Sequence, residues 1–276
     1  MIAALLDLGP GMLLGLLGIG LVTGFLAGLL GIGGGMLMVP FLTFALTMQA
    51  VPAAQAVKMA IATAMATILF TALSSIRAHH AHGAVNWSLW RAMAPGIVIG
   101  GLLAGGAAFA WLRGDGLALL FAVFNVVTAI RLLRPAAAQG RRPLPGRWGQ
   151  AGAGAGIGFV SGLVGAGGAF LSVPFMTACR VPMRQAVATS AAMGLPIAAA
   201  NTLGYLWAGR HLPDAVPGAV GYLFVPGLLL IAAGSVTTAP WGARTAHRLD
   251  QRRLRQLFAA LLLGLAAYMA SQVVRG

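Results

Sequence analysis

The 276-residue sequence has no glutamate, four aspartates and a single lysine. Charged residues make up 8 % of it, where a soluble domain carries roughly a quarter. That shortage excludes a water-exposed globular surface, so lipid is the expected solvent. It also excludes an intramembrane carboxylate relay and a carboxylate sodium site. Asp7, Asp115, Asp214 and Asp250 all fall in breaks between apolar runs or near a terminus. The one cysteine, Cys179, excludes an internal disulfide and is expected to be a buried thiol. There are no paired carboxylates, no Ser-His-Asp set within the apolar runs and no metal-ligand spacing. An enzyme is therefore not expected, nor a cofactor or a metal. His79, His80 and His82 cluster beside Arg77, but without Cys or Glu they are read as solvated loop residues. Residues 1–10 lack the basic start of a cleaved signal, so the first apolar run is expected to remain.

What the chain has is apolar: 59 % of its residues, with a mean hydropathy of +0.89. Its net charge of +14 does not indicate nucleic acid as a partner. The arginines fall in short breaks between long apolar runs, the pattern of membrane loops. Stretches free of Lys, Arg and Asp cover 8–57, 59–76, 92–112, 116–130, 148–179, 185–209, 215–243 and 256–274. A crossing takes about 20 residues, and six of these stretches fit one helix each. Stretches 8–57 and 148–179 are too long for one straight helix. Both carry a glycine cluster near the middle (Gly31, Gly33, Gly34, Gly35; Gly165, Gly167, Gly168) and then a Val-Pro pair ending in Pro40 or Pro174. Glycine loosens a helix and proline removes one of its bonds, so both segments are expected to break in mid-membrane.

The two segments are copies. Residues 24–43, GFLAGLLGIGGGMLMVPFLT, match residues 158–177, GFVSGLVGAGGAFLSVPFMT, at 12 of 20 positions without a gap. Val51-Pro52 then pairs with Val181-Pro182 and, after a one-turn indel, Thr63 with Thr189 and Gly83 with Gly209. The chain is read as repeats 11–134 and 149–274, joined by an Arg/Pro-rich linker at 135–148. Loop charge separates parallel from inverted copies. Eight simple crossings split the basic residues 9 against 9. If each glycine-broken segment returns to the side it entered, the split is 14 against 4, with Lys58, Arg113, Arg210 and Arg275 on the poor side. The positive-inside rule favours the second arrangement: inverted repeats, a cytoplasmic linker and both termini outside.

The fold class expected is an all-α integral membrane protein with two repeats, inverted, and discontinuous or re-entrant helices near the midplane. Substrate in such layouts sits where half-helix ends point. Gly33, Gly34, Gly167 and Gly168 offer free amides to an anion. Gly24 with Gly28 and Gly158 with Gly162 read as helix packing. Thr63, Thr67, Thr71 and Ser74 share one helix face, where bonding back to their own helix competes with lining a pathway. Thr189-Ser190 sits at the repeat-related place, Asn201 and Thr202 lie further along the same run, and Lys58 is expected to snorkel to the interface. Trp87, Trp90, Trp148 and Trp241 fall near span ends, as an aromatic belt requires.

The doubled G-x-G-G…V-P motif, with the stretch TALSSIRAHHAHGAVNW (71–87), resembles the TauE/SafE sulfite-exporter family over nearly the whole chain. The resemblance implies a multi-pass carrier of the bacterial inner membrane for sulfite, sulfonates or related small anions. Carried over by position, its functional region is Gly31, Gly33, Gly34, Pro40, Gly165, Gly167, Gly168 and Pro174, with Thr63, Thr189 and Ser190 nearby. The family often shows Thr-Ser where this chain has Thr63-Ala64, which departs from symmetry on that side. The expected mechanism is alternating access, one repeat rocking against the other. The expected partners are a small anion and the lipid bilayer. A carrier of another organic anion, an anion channel of the same fold, and assembly as a homo-oligomer stay open. A topology reporter fused after Gly276 should report the outer side; a cytoplasmic signal there overturns the inverted arrangement.

Overall fold

The computed structural model describes residues 8–30, 34–81, 83–133, 143–212, 217–246 and 251–275. In chain order the helices are α1 (Gly9–Leu30), α2 (Gly35–Met48), α3 (Ala53–Ala81), α4 (Trp87–Leu103), α5 (Gly114–Leu133), α6 (Arg147–Val164), α7 (Ala169–Ala178), α8 (Met183–Gly209), α9 (Val225–Ala246) and α10 (Gln251–Arg275). α4 continues through a π-helical turn, Ala104–Ala108, to Trp111. α1, α3, continued α4, α5, α8, α9 and α10 are long and apolar enough to cross a membrane, which makes this a multi-pass α-helical membrane protein. Its outer surface is apolar: Leu14, Met48, Trp111 and Trp148 are each at least 70 % exposed. One part of stretch 215–243 is not helical. β1 (Ala219–Val220) and β2 (Leu223–Phe224) pair antiparallel just before α9, a small departure from an all-α fold.

Glycine sets where the long segments break. Gly34 caps α2 at φ 67°, ψ −19°, and Gly168 caps α7 at φ 80°, ψ −18°. The two are equivalent in the ungapped alignment and share one left-handed conformation. A residue with a side chain pays about 1–2 kcal/mol there; glycine does not. Proline does not break the helices, contrary to expectation. Pro40 and Pro174 lie inside α2 and α7, six residues past the caps. Each forgoes one helical bond while the neighbouring bonds carry the helix on.

The turns that follow are repeat-related too. Ala50 and Arg180 both adopt positive φ, 60° and 63°. The amides of Val51 and Val181 reach back to the carbonyls of Leu46 and Met176 at 3.2 and 3.1 Å. This closes each short helix with a left-handed cap. Pro52 and Pro182 then open α3 and α8, their carbonyls accepting the first helical bonds. Cys179, at the end of α7, is half-buried rather than fully buried.

Directions follow from named contacts. Near the start of α3, Lys58 lies against Ala110 and Tyr222, and Tyr222 packs on Gly209 at the end of α8. Near the end of α3, Ile76 packs with Val85 and Ala188, close to the start of α8. α3 and α8 therefore run antiparallel, one end of the pair marked by Lys58 and the other by Arg184. Gly20 and Gly24 of α1 meet Ile231 and Ser235 of α9 in step, so those helices run parallel. Gly154 and Gly158 of α6 meet Met93 and Ile97 of α4 in the same way. The closest seams thus join one repeat to the other. Glycine is required in them: a Cβ at Gly24 would overlap Ser235, and one at Gly158 would overlap the Ile97 carbonyl.

Gly158→Leu should destabilise the detergent-solubilised protein by about 1–3 kcal/mol through forced overpacking. Gly152→Leu, at an exposed glycine of the same helix with nothing within 4 Å, should stay within about 0.5 kcal/mol. Thermal melts of both variants test the seam.

Candidate functional site

The two breaks meet each other. A Cβ added at Gly35 would overlap the carbonyl of Gly165, while one at Gly165 would press on Val39 and approach Ile61. Gly35 and Gly167 both face Ile68, and Gly194 lies beside Ala72 and the Gly167 carbonyl. Ile68 and Gly194 sit near the middles of α3 and α8, so both breaks lie at the mid-height of that pair. Gly31 and Gly33 lie outside the described residues.

Each break ends on a half-length helix whose first amides no helical carbonyl reaches. In α7 the first helical bonds run from Leu171 and Ser172 to the Gly168 carbonyl at 3.0 and 2.8 Å; in α2 they run from Leu37 and Met38 to Gly34 at 3.0 and 3.1 Å. The donors of Ala169 and Phe170, and of Gly35 and Met36, precede those bonds and face the breaks with the positive ends of the helix dipoles. No charged residue occurs in 148–179 or 185–209, so the second break is made of neutral donors alone.

The repeat-related threonines do a specific job. Thr63 accepts the amide of Phe224 at 3.0 Å, just before α9, and Thr189 accepts the amide of Asn86 at 2.9 Å, just before α4. Both are fully buried. Each holds the entrance of a helix belonging to the other repeat. Beyond them on α3, Thr67 and Thr71 donate to the carbonyls of Thr63 and Ile68 at 2.9 and 3.3 Å, so their hydroxyls are spent on their own helix. The side chain of Ser74 lies outside the description.

Ser190 is brought to the break. Its hydroxyl stands 2.6 Å from that of Ser172, which donates to the Gly168 carbonyl at 3.0 Å. Ser161 joins them from α6: a Cβ on Gly168 would lie 3.6 Å from its Oγ. Ser161 is fully buried, and among the described residues its Oγ has no hydrogen-bond partner. Ser161 and Ser172 are not among the residues expected from the motif. The repeat alignment carried the signal, since they stand opposite Ala27 and Met38. On α8, Asn201 donates to the carbonyls of Ile197 and Gly158, and Tyr205 donates to that of Gly162. These bonds fix α6 beside α8. Thr202 is buried, its hydroxyl unpartnered among the described residues.

Lys58 does not simply snorkel. Its Nζ lies 3.4 Å from the Tyr222 hydroxyl and 3.5 Å from the Ala110 carbonyl, over the rings of Phe109 and Tyr222 at 5.6 and 5.3 Å. The cation is caged by aromatic faces at one end of α3. At the opposite end, Gly83, Ala84, Pro182, Arg184 and Gln185 line a cavity of about 240 Å³. His80 is in the last turn of α3 rather than in a loop, and it accepts from Trp87 Nε1 at 3.3 Å. The side chain of His79 and all of His82 lie outside the description.

Comparison with known proteins agrees with this architecture. The chain is 32 % identical over 256 residues to a probable membrane transporter protein of Haemophilus influenzae, covering 91 % of this chain and 95 % of the relative. It is 24 % identical over 264 residues to a probable membrane transporter protein of Methanocaldococcus jannaschii, covering 91 % and 92 %. No solved structure matches it. The family model for sulfite exporter TauE/SafE matches residues 16–269, and with nearly the whole chain inside that match the protein belongs to the TauE/SafE family of membrane transporters.

Proposed function

We propose that this protein is a secondary carrier of a small anion, sulfite or a related sulfur-containing or organosulfonate anion, across the bacterial inner membrane. One observation carries the reading. Two half-length helices begin at left-handed glycines, Gly34 and Gly168, at the mid-height of the α3 and α8 pair, in breaks that touch each other and with no carboxylate near among the described residues. Uncommitted amides at the positive end of a helix bind anions, and a site without acidic groups repels none of them. The family's name, sulfite exporter, makes sulfite the first anion to try.

The mechanism proposed is alternating access around this site in an inverted-repeat frame. Its support is directional. The equivalent helices α3 and α8 run antiparallel, and the two glycine breaks adopt the same backbone conformation in sequence-equivalent places. Repeats related by an axis in the membrane plane place their equivalent helices in this antiparallel relation. A channel of the same fold is the second reading, and saturation separates the two.

The test is sulfite flux into proteoliposomes containing the full chain, with sulfate, thiosulfate and taurine as competitors. Saturable flux, competed by at least one sulfur anion, is expected. Flux that rises linearly with concentration points to the channel. Absence of flux for all of these anions, with the protein correctly inserted, overturns the substrate class.

A further inference from the structure

We infer that the anion site is single and one-sided: Ser161, Ser172 and Ser190 around the Gly168 break bind a small oxyanion, and the equivalent Gly34 break does not. The inference rests on the anion-carrier reading and says which half of a nearly symmetric frame holds the cargo.

The backbone alone would offer two equal sites. Gly34 and Gly168 share a conformation, and each precedes a helix whose first-turn amides have no side-chain cap among the described residues. The side chains remove the equality. The alignment sets Ser161, Ser172 and Ser190 opposite Ala27, Met38 and Ala64. In the first repeat the vacant Cβ position of Gly34 lies 3.0 Å from Ala27 Cβ and 3.3 Å from Met38 Cε. Only apolar side chains, a methyl group and a thioether, thus stand at that position of Gly34; at Gly168 the Ile197 δ-methyl is closer still, but a hydroxyl, that of Ser161, stands there as well at 3.6 Å. In the second repeat the same two places carry hydroxyls.

The hydroxyls differ in state as well as in number. The first repeat has Thr23, Thr67 and Thr71 near its break, but each donates to a carbonyl of its own helix, at 2.6, 2.9 and 3.3 Å. Those groups are spent. Ser161 is fully buried with Oγ unpartnered among the described residues, and it lies 3.6 Å from the vacant Cβ position of Gly168. Leaving a buried hydroxyl unsatisfied destabilises a fold, and alanine fits the equivalent place at Ala27, so an acceptor that arrives with the cargo explains the serine. Beside it, Ser172 and Ser190 form a pair in which either atom can donate. If Ser172 keeps its proton on the Gly168 carbonyl, Ser190 donates to Ser172; if the pair reverses, a proton is freed for the cargo. Ile157 and Ile197 close the apolar side of Gly168. Hydroxyl and amide donors without a cation suit an oxyanion that must also leave, because a buried ion pair would hold it.

The experiment uses the full chain, wild type and three variants (Ser161→Ala, Ser172→Ala and Ala27→Ser), with two readouts. One is the half-saturation concentration for sulfite flux in proteoliposomes. The other is the shift in melting temperature that sulfite causes in detergent, which reports binding without transport. Ser161→Ala should raise half-saturation about tenfold or more and abolish the sulfite-induced shift, while the melting temperature without sulfite stays the same or rises. Ser172→Ala should also raise half-saturation, and Ala27→Ser should leave it within about twofold. Wild-type half-saturation in Ser161→Ala overturns the site, as does an Ala27→Ser effect equal to that of Ser161→Ala. If wild type binds sulfite, shown by a shift that Ser161→Ala loses, yet moves none, the site stands and the carrier reading falls. Neither binding nor flux in wild type overturns both.

Discussion

A peptide group in hydrocarbon must find a hydrogen-bond partner within the protein, and this constraint governs the whole fold. A helix meets it internally. A helix that stops part-way does not, and two such breaks fall at the mid-height of the α3 and α8 pair. The structure sets one break against the other: Gly35 packs on Gly165, and Gly35 and Gly167 both face Ile68 of α3. The amide of Ala166 and the cap amide of Gly165 return to the Ser161 carbonyl, while among the described residues the amides of Gly167, Gly168 and the first turn of α7 show no such partner. In the anion-carrier reading, those donors are what the cargo would meet. Irregular backbone at membrane depth is tolerated where it is shielded by protein or faces a cavity, and here Gly35 and Gly165 shield each other.

Much of this was legible in sequence because it follows from period and repetition. The glycine clusters located both breaks, the six shorter apolar stretches each became one long helix, and the ungapped alignment paired Gly34 with Gly168 before their dihedral angles were known to agree. Thr63 and Thr189 were legible as equivalents, but their partners were not. Phe224 and Asn86 are more than a hundred residues away, and no local pattern announces a backbone amide waiting there. The proline expectation failed for a physical reason. A proline inside a helix loses one bond, but the chain breaks only where φ must turn positive, and glycine permits that. The β-hairpin at 219–224 was hidden inside an apolar run whose composition suits a helix equally well. Ser161 and Ser172 were hidden differently: a lone serine in an apolar helix is usually spent on its own carbonyls, and only tertiary packing shows that Ser161 is not.

Near-symmetry with a polar site on one side has a direct consequence for binding. In a symmetric pair of breaks, two equivalent anions would repel each other across a short, low-dielectric gap. In the one-sided site inferred above, the apolar Ala27 and Met38 would remove that competition and let the dipoles of both half-helices act on one occupant. The duplicated frame then supplies the geometry, and three substitutions between the copies supply the polarity.

The same packing constrains how such a frame moves. Rocking one repeat as a body against the other would open the seams of α1 with α9 and of α4 with α6. Those seams bring backbones together through Gly20 and Gly24 on one side and Gly96, Gly100, Gly154 and Gly158 on the other. It would also pull Thr63 from Phe224 and Thr189 from Asn86, both buried bonds between repeats. Each such bond contributes modestly in a membrane protein, about 0.6 kcal/mol, but the glycine seams they border lose their dispersion contacts together when parted. In a frame that rocks, the strain of parting these seams would set the moving bodies apart from the two halves of the sequence. The pairs that stay intact most easily are α1 with α9 and α4 with α6, each drawn from both repeats. A motion that kept them whole would slide them along α3 and α8, past the breaks at Gly34 and Gly168.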